Sequence, residues 1–140
     1  MQITIPEAYY DLLNGPRVAA LTTVMPDGQP QSSLVWCDED GECACVNTTR
    51  ERQKGRNMRA NPKVSLLIVD PENTSRYIEI RGEAELVEAG ALDHLDRITR
   101  EYTEHPHYYG YIFPIEQEQR ETRIICRIHA SKITLDAIHR

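Results

Sequence analysis

Apolar residues that alternate with polar ones recur along much of the chain, and this period of two predicts β-strands. Turn signals such as Pro26-Asp27-Gly28 and Asp40-Gly41 separate the stretches from one another. Val64–Val69 is a short apolar run, typical of a strand buried on both faces. Strands are predicted over Arg17–Met25, Gln29–Asp38, Glu42–Thr48, Val64–Val69, Arg76–Glu88 and Thr122–Ala130, the last continuing through Leu135.

Three other segments have the period or the boundary signals of helices. Pro6 opens a short helix that Gly15-Pro16 ends, and Arg50–Ala60 is stopped by Asn61-Pro62. Ala91–Glu104 carries apolar residues at helical spacing. The length of 140 residues fits one domain over residues 1–140. We predict a mainly β fold with flanking helices, in which six or so antiparallel strands form a barrel and so leave no open sheet edge.

Composition narrows the classes of function. The formal net charge of −6 argues against nonspecific nucleic-acid binding, and no apolar run is long enough to span a membrane. The first six residues lack the pattern of a secretory signal, so the expected location is cytoplasmic. The four cysteines include no Cys-x-x-Cys pair and are expected to be buried, reduced thiols.

One short segment has a positive net charge, although the chain as a whole is negative. Five positive residues fall between positions 50 and 59, opposed only by Glu51: Arg50, Arg52, Lys54, Arg56 and Arg59. At about 100° per residue, Arg52, Arg56 and Arg59 would share one helical face. Asn47, Thr48 and Thr49 end the preceding strand, where their side chains can cap the helix. A helix N-terminus beside Arg and Lys is a suitable phosphate site.

The alternative interpretation of this segment is a solvated basic face that pairs with surface acids. Asn57 fits either picture, since it can bond a ligand or a neighbouring loop. Elsewhere, His105 and His107 flank Pro106, but no third ligand is evident, so no metal site is expected. The aromatic residues of 108–113 either cover a cofactor or substrate, or pack in the core or a dimer interface. No acid–base constellation is apparent, as expected where a cofactor carries the chemistry.

Several motifs in order resemble those of the pyridoxamine 5′-phosphate oxidase-like, FMN-binding split-barrel family. They are similar above all to the short branch thought to use the deazaflavin coenzyme F-420. The motifs are Asp27-Gly28-Gln29-Pro30, Arg52-x-Lys54-x-Arg56-Asn57-Met58-Arg59-x-Asn61-Pro62, Lys63-Val64-Ser65-Leu66-Leu67, Asp70-Pro71-x-Asn73, Arg76-Tyr77-Ile78-Glu79-Ile80-Arg81-Gly82 and Asp96-Arg97-Ile98-Thr99-Arg100-x-Tyr102-Thr103. The resemblance covers nearly the whole chain, and the order and spacing of the motifs are more specific than any one of them.

The resemblance implies a split β-barrel, a homodimer and two cofactors at the subunit interface. It implies that Arg52 and Lys54 bind the phosphate beside the two threonines, and that residues 33–35 run along the flavin ring. Arg76 and Tyr77 match a position near the cofactor that the partner subunit could supply. The full set of expected cofactor-binding residues is Ser33, Leu34, Val35, Asn47, Thr48, Thr49, Arg52, Lys54, Arg56, Asn57, Arg76 and Tyr77.

Two departures from the larger oxidases of the family bear on the expected activity. Ser33 falls where those enzymes have a basic residue, and the sequence stops at Arg140 without their extended C-terminal segment. Oxidation of pyridoxamine phosphate itself is therefore not expected. The hypothesis is a dimeric oxidoreductase that uses coenzyme F-420, or alternatively FMN, for hydride transfer with a small unsaturated or quinone-like substrate. The alternatives are a noncatalytic flavin- or haem-binding carrier on the same fold, and an interaction module whose basic helix is only solvated.

Overall fold

The structure is a computed structural model that describes residues 3–136. A 3-10 turn over Glu7–Tyr9 runs into the short helix α1, and a second 3-10 turn covers Ile115–Gln119. The helices are α1 (Tyr10–Leu13), α2 (Gln53–Ala60) and α3 (Ala91–Tyr102). The strands are β1 (Val18–Val24), β2 (Pro30–Glu39), β3 (Ala44–Thr49), β4 (Lys63–Asp70), β5 (Asn73–Val87) and β6 (Arg123–Leu135).

The six strands close into an antiparallel barrel in the order β1-β2-β3-β6-β5-β4. Each strand therefore has a hydrogen-bonded neighbour on both sides, and this closure leaves no open sheet edge. The prediction of a mainly β fold with flanking helices and six antiparallel strands is confirmed. The positions of the predicted strands agree with those observed to within a few residues at each end.

The core lies inside the barrel, where alternate residues of every strand meet. Leu21, Val46, Leu66, Ile80 and Ile128 are all buried to within 1% of full burial. Because side chains alternate across a strand, the residues between them face outward. The outer faces of β2, β3 and β6 are partly covered by α3, whose Ala91, Leu95 and Ile98 are buried. Of the helices in residues 3–136, none has the length and apolar character to cross a membrane.

The prediction that Val64–Val69 is buried on both faces is wrong for this chain. Val64, Leu66 and Ile68 point into the core, but Leu67 and Val69 are 42% and 36% exposed. The apolar run identified a strand correctly. The sequence could not show, however, that the outer face of this strand is left uncovered by the other described residues. An uncovered apolar face of this kind is a candidate interaction surface.

Helix α2 begins at Gln53, three residues later than predicted. Residues 50–52 instead form a bend, and Thr49 Oγ1 accepts a hydrogen bond from the backbone N–H of Arg52 at 3.0 Å. Gly55 lets the helix approach the end of β3 closely, since a Cβ there would lie 2.0 Å from the carbonyl oxygen of Thr49. The expectation that Asn47, Thr48 and Thr49 cap the helix is therefore corrected. Arg52 is the N-cap residue, and its own side chain makes no capping hydrogen bond.

Candidate functional site

A cavity of about 330 Å³ lies outside the barrel wall, within the size range of small-molecule sites. Strands β2, β3 and β6 form its floor, and α3, the residues around the start of α2 and the loop of residues 108–112 form its sides. It has an apolar part and a polar part. The lining residues are Val18, Leu34, Val35, Trp36, Asn47, Arg52, Lys54, Leu95, Ile98, Tyr108, Ile112 and Arg123.

Three cations form the polar part of this cavity: Arg52, Lys54 and Arg123. Arg123 is only 8% exposed, and its Nη1 is buried with no hydrogen-bond partner among the described residues. The Arg52 guanidinium makes a long contact of 3.5 Å with Glu121 and lies 6.0 Å from the ring centroid of Phe113. A buried guanidinium nitrogen without a partner is unfavourable, and an anion in the cavity would supply the missing acceptor.

Lys54 supports the same conclusion. It makes no ion pair with any residue in the range 3–136. Burial, followed by the positive charges of Arg52 and Arg123, lowers the pKa of Lys54 below its usual value of 10.5. An anion between these side chains would offset both effects, because it would stabilise the ammonium form.

A buried chain of hydrogen bonds holds Arg123 in place. Arg123 Nε donates to Asn47 Oδ1 at 2.9 Å, and Asn47 Nδ2 donates to the carbonyl of Ala91 at 2.8 Å and to His94 Nδ1 at 3.0 Å. His94 Nδ1 must therefore be an acceptor, so Nε2 carries the proton and donates to Asp38 Oδ1 at 2.8 Å. Both Asp38 and His94 are 3% exposed. Asp38 thus fixes the imidazole of His94, His94 fixes the amide of Asn47, and Asn47 orients Arg123.

Aromatic rings border the three cations. The guanidinium of Arg123 lies 5.2 Å from the ring centroid of Tyr108 and 6.0 Å from that of Tyr109. Tyr109 is buried and donates to Glu121 at 2.7 Å, and burial together with this carboxylate raises its pKa to about 12. On the apolar side, Trp36 stacks on Tyr102 at 5.1 Å. Tyr109 therefore packs inside, whereas Tyr108 lines the cavity. That the aromatic residues of 108–113 cover a cofactor or substrate stays a prediction.

Five residues of the expected cofactor set come together at the cavity: Leu34, Val35, Asn47, Arg52 and Lys54. Ser33 does not line it. Its neighbour across β1 is Leu21, a core residue, so the Ser33 side chain points into the barrel. Thr48 and Thr49 are also buried within the wall rather than exposed to the cavity.

The expected single basic face of Arg52, Arg56 and Arg59 is corrected, because the structure divides these residues between two cavities. Arg52 reaches the main cavity, whereas Arg56 and Arg59 line a separate groove with Arg50. Arg56 donates to the carbonyl of Glu51 and to Gln53 Oε1. The late start of α2 explains the division, since Arg52 precedes the helix and does not follow its angular spacing.

Asn57 is 2% exposed and serves the fold. Its Nδ2 donates to Thr23 Oγ1 at 3.0 Å, and its Oδ1 accepts from Gln53 Nε2 at 2.7 Å. Of the two alternatives for this side chain, the structure shows the bond to a neighbouring segment. Asn57 thereby ties α2 to β1.

Arg76 and Tyr77 lie on β5, away from the cavity. Arg76 pairs with Asp11 at 2.7 Å and with Asp70 at 3.1 Å, and it stacks over Tyr9 at 4.9 Å. Tyr77 stands opposite Val69 on β4. Their expected place beside a cofactor would require the partner subunit, and it stays a prediction.

Sequence reasoning missed several lining residues, of which Arg123 is the most important. Arg123 pairs with Thr49 across β3 and β6, although the two residues are far apart in sequence. The only signal for it in the sequence was its position at the start of the last strand. The four cysteines are free and buried, as predicted.

The closed antiparallel barrel carries a cation-lined cavity on the outer side of its wall. Over residues 5–134 the chain matches the family described as pyridoxamine 5′-phosphate oxidase, and it belongs to that family. It is 36% identical over 81 residues to the pyridoxine/pyridoxamine 5′-phosphate oxidase of Gluconobacter oxydans (strain 621H), covering 57% of this chain and 40% of that protein. The corresponding oxidase of Rhizobium meliloti (strain 1021) is also 36% identical, over 86 residues covering 59% and 40%. The chain thus spans about 40% of the length of these relatives.

Solved structures extend the comparison. An F420 reductase superposes with a TM-score of 0.77 and 33% identity, over 93% of this chain and 98% of the reductase. A conserved hypothetical protein from Mycobacterium tuberculosis has a TM-score of 0.71 and 28% identity, over 96% and 86%.

Proposed function

We propose that this protein is an oxidoreductase that uses coenzyme F-420, or alternatively FMN, for hydride transfer to or from a small unsaturated or quinone-like substrate. The observation that carries the proposal is the buried, unpartnered Nη1 of Arg123, which lines the same cavity as Arg52 and Lys54. The similarity to an F420 reductase, at 33% identity over 93% of this chain, favours the deazaflavin.

The two parts of the cavity suit the two ends of such a cofactor. Arg52, Lys54 and Arg123 would hold the phosphate by charge-assisted hydrogen bonds. Leu34 and Trp36 would contact the ring system and exclude water from it. When bound, the cofactor supplies the hydride chemistry, and the protein contributes binding, orientation and electrostatics.

The proposal includes a homodimer with the cofactor at the interface. Leu34 is 75% exposed, and Val18, Leu67 and Val69 are 50%, 42% and 36% exposed on the neighbouring strands. Leu34 and Leu67 both pair with Ala20 of β1, so they lie on one outer face beside the cavity. Burying these side chains would contribute about 1.5–3 kcal/mol for each one fully covered.

The dimer has a simple test. Leu67→Glu places a charge in the proposed interface and is expected to shift the chain from dimer to monomer in light scattering coupled to gel filtration. Leu92→Glu is the control, because Leu92 is similarly exposed, at 37%, but lies on α3. A wild-type chain that is monomeric at every concentration would contradict this part of the proposal.

Titration calorimetry with FMN and with F-420 tests the cofactor assignment. The double variant Arg52→Ala with Lys54→Ala is expected to weaken binding by at least ~1–3 kcal/mol, which is the scale for losing charged hydrogen-bond partners. Arg59→Ala is the matched control, because Arg59 lines the separate groove. Unchanged affinity in the double variant would refute the phosphate assignment, and tight FMN binding without F-420 binding would refute the choice of deazaflavin.

A noncatalytic carrier is the second candidate. No His, Cys, Asp or Glu is found among the lining residues that the structure describes, so the cavity offers no carboxylate or imidazole for acid–base work. The lack of a lining histidine also disfavours haem ligation there. Turnover separates the candidates, since a carrier would bind reduced F-420 without oxidising it in the presence of any quinone or enone acceptor.

A further inference from the structure

A second cluster of chemically active side chains lies at the start of β3, outside the cofactor cavity. The turn that joins β2 to β3 carries Glu42 and Cys43, and β6 carries His129. One ligating atom from each of these residues lies within 4.8 Å of the other two. Cys43 is buried, His129 is half-buried and Glu42 is exposed. None of them lines the cofactor cavity.

The distances in this cluster suit a metal ion. Cys43 Sγ lies 3.6 Å from His129 Nδ1. Tetrahedral Zn²⁺ with bonds of about 2.3 Å to sulfur and about 2.0–2.1 Å to nitrogen would place these two atoms roughly 3.5 Å apart. Backbone hydrogen bonds from Glu42 and Cys43 to Asp40 Oδ1, at 3.0 and 2.7 Å, shape the turn that presents the thiol.

The other ring nitrogen of His129, Nε2, has a carboxylate partner, as the non-ligating nitrogen of a histidine has in many protein metal sites. His129 Nε2 lies 2.7 Å from Glu85 Oε1. A carboxylate oxygen at this distance accepts the Nε2 proton. Nδ1 is then the basic nitrogen, and it faces Cys43. A carboxylate behind a ligating histidine is a common arrangement that fixes its tautomer and raises its basicity.

The surrounding charge also favours a cation. Asp40, Glu42 and Glu85 are close together, and Arg127 is the cation that pairs with all three. Its contacts with Asp40 and Glu85 are 2.7 and 2.8 Å, whereas that with Glu42 is 3.7 Å. Of the three carboxylates, Glu42 therefore makes the longest contact with Arg127.

We propose that Cys43, His129 and Glu42 bind one Zn²⁺ ion per chain, with a fourth position open to water. A thiolate, an imidazole and a carboxylate form a donor set that zinc accepts and that magnesium and calcium do not prefer. Binding converts the Cys43 thiol to a thiolate and releases its proton to solvent. The ion would join the β2–β3 turn to β6 and stabilise the fold by the binding free energy available at the ambient zinc concentration.

Zinc titration of reduced, metal-free protein tests the proposal, with Co²⁺ as the spectroscopic probe. We expect one saturable site and a near-ultraviolet charge-transfer band from cobalt to sulfur. Cys43→Ser and His129→Gln are each expected to abolish the band. Glu85→Gln is expected to weaken zinc binding about 10–100-fold, because it removes the group that fixes the histidine. Cys45→Ser is the matched control, since Cys45 is a buried thiol two residues away that is not in the cluster.

A second measurement keeps the test independent of how well the variants fold. X-ray absorption at the zinc edge of the wild-type protein is expected to show one sulfur ligand among nitrogen and oxygen ligands. Zinc with no sulfur ligand, a wild-type protein that does not bind zinc, or a band that survives in both Cys43→Ser and His129→Gln would overturn the proposal. Titration of F-420 with zinc-loaded and zinc-free protein is expected to give the same affinity. Failure of the zinc proposal would therefore leave the proposed function untouched, and the reverse also holds.

Discussion

Replacement of Arg123 by methionine tests whether this arginine stabilises the fold or binds a ligand. Methionine keeps much of the volume and flexibility of the side chain but removes its charge and its donors. The variant loses the 2.9 Å bond to Asn47 and the contact with the ring of Tyr108. It also removes a buried Nη1 that has no partner among the described residues.

These effects nearly cancel in the ligand-free protein. The charged hydrogen bond contributes about 1.5–3 kcal/mol and the cation–π contact about 0.5–2 kcal/mol. The unpartnered, desolvated Nη1 opposes them by about 1–3 kcal/mol or more, since the group is charged. We therefore expect the unfolding free energy to change by only ~1 kcal/mol, or by a few degrees in the melting temperature.

The same substitution is expected to have a large effect on the cofactor. With an anion bound, Nη1 gains a charged hydrogen bond of about 1.5–3 kcal/mol, so its loss should weaken F-420 or FMN binding by about 10- to 150-fold. Thermal melts with and without cofactor, together with calorimetry, measure both quantities on one sample. Arg59→Met is the control. A variant that binds cofactor with wild-type affinity but is several kcal/mol less stable would show that Arg123 only supports the fold.

Three further outcomes are expected. Because the pKa of Lys54 is lowered and a bound anion favours its protonated form, cofactor affinity should fall as pH rises above that lowered pKa. The ratio of wild-type to Lys54→Arg affinity isolates this effect from titration of the ligand, and a flat ratio would refute it. His94→Leu deprives a buried carboxylate of a hydrogen bond, so urea denaturation should show a loss of about 1.5–3 kcal/mol, and an unchanged midpoint would contradict the role assigned to the imidazole. Gly55→Ala puts a Cβ 2.0 Å from the Thr49 carbonyl, and we expect denaturation to show a loss of about 1–3 kcal/mol despite the better helix propensity of alanine.

The sequence identified the strands because alternation along a strand is a local property. It could not say which face of a strand is inside where both faces carry apolar residues. In β2, Val35 and Leu34 are equally apolar, yet Val35 is buried and Leu34 is 75% exposed. Leu67 on β4 shows the same limit. Only the closure of the barrel decides which side chains face inward.

The candidate site was predictable where its residues lie in one segment. Arg52 and Lys54 stand out in the sequence because they form part of a basic run in an acidic chain. Arg123 and His94 do not, because they reach Asn47 only through the pairing of β3 with β6 and the packing of α3. The same is true of Cys43 and His129, which are 86 residues apart in sequence. Spacing rules detect ligand pairs on one element, and they miss pairs that strand pairing creates.

The order of strands in the barrel also has a consequence during translation. β6 is the last of the six strands to leave the ribosome, yet it lies between β3 and β5. Until it emerges, the nascent chain carries two strand edges that await their neighbour, and such edges are prone to pairing with other chains. Arg123 is the first residue of that strand, so the cavity lacks its most buried cation throughout this stage. Under the proposed function, a cofactor would therefore stabilise the chain only after β6 has been synthesised.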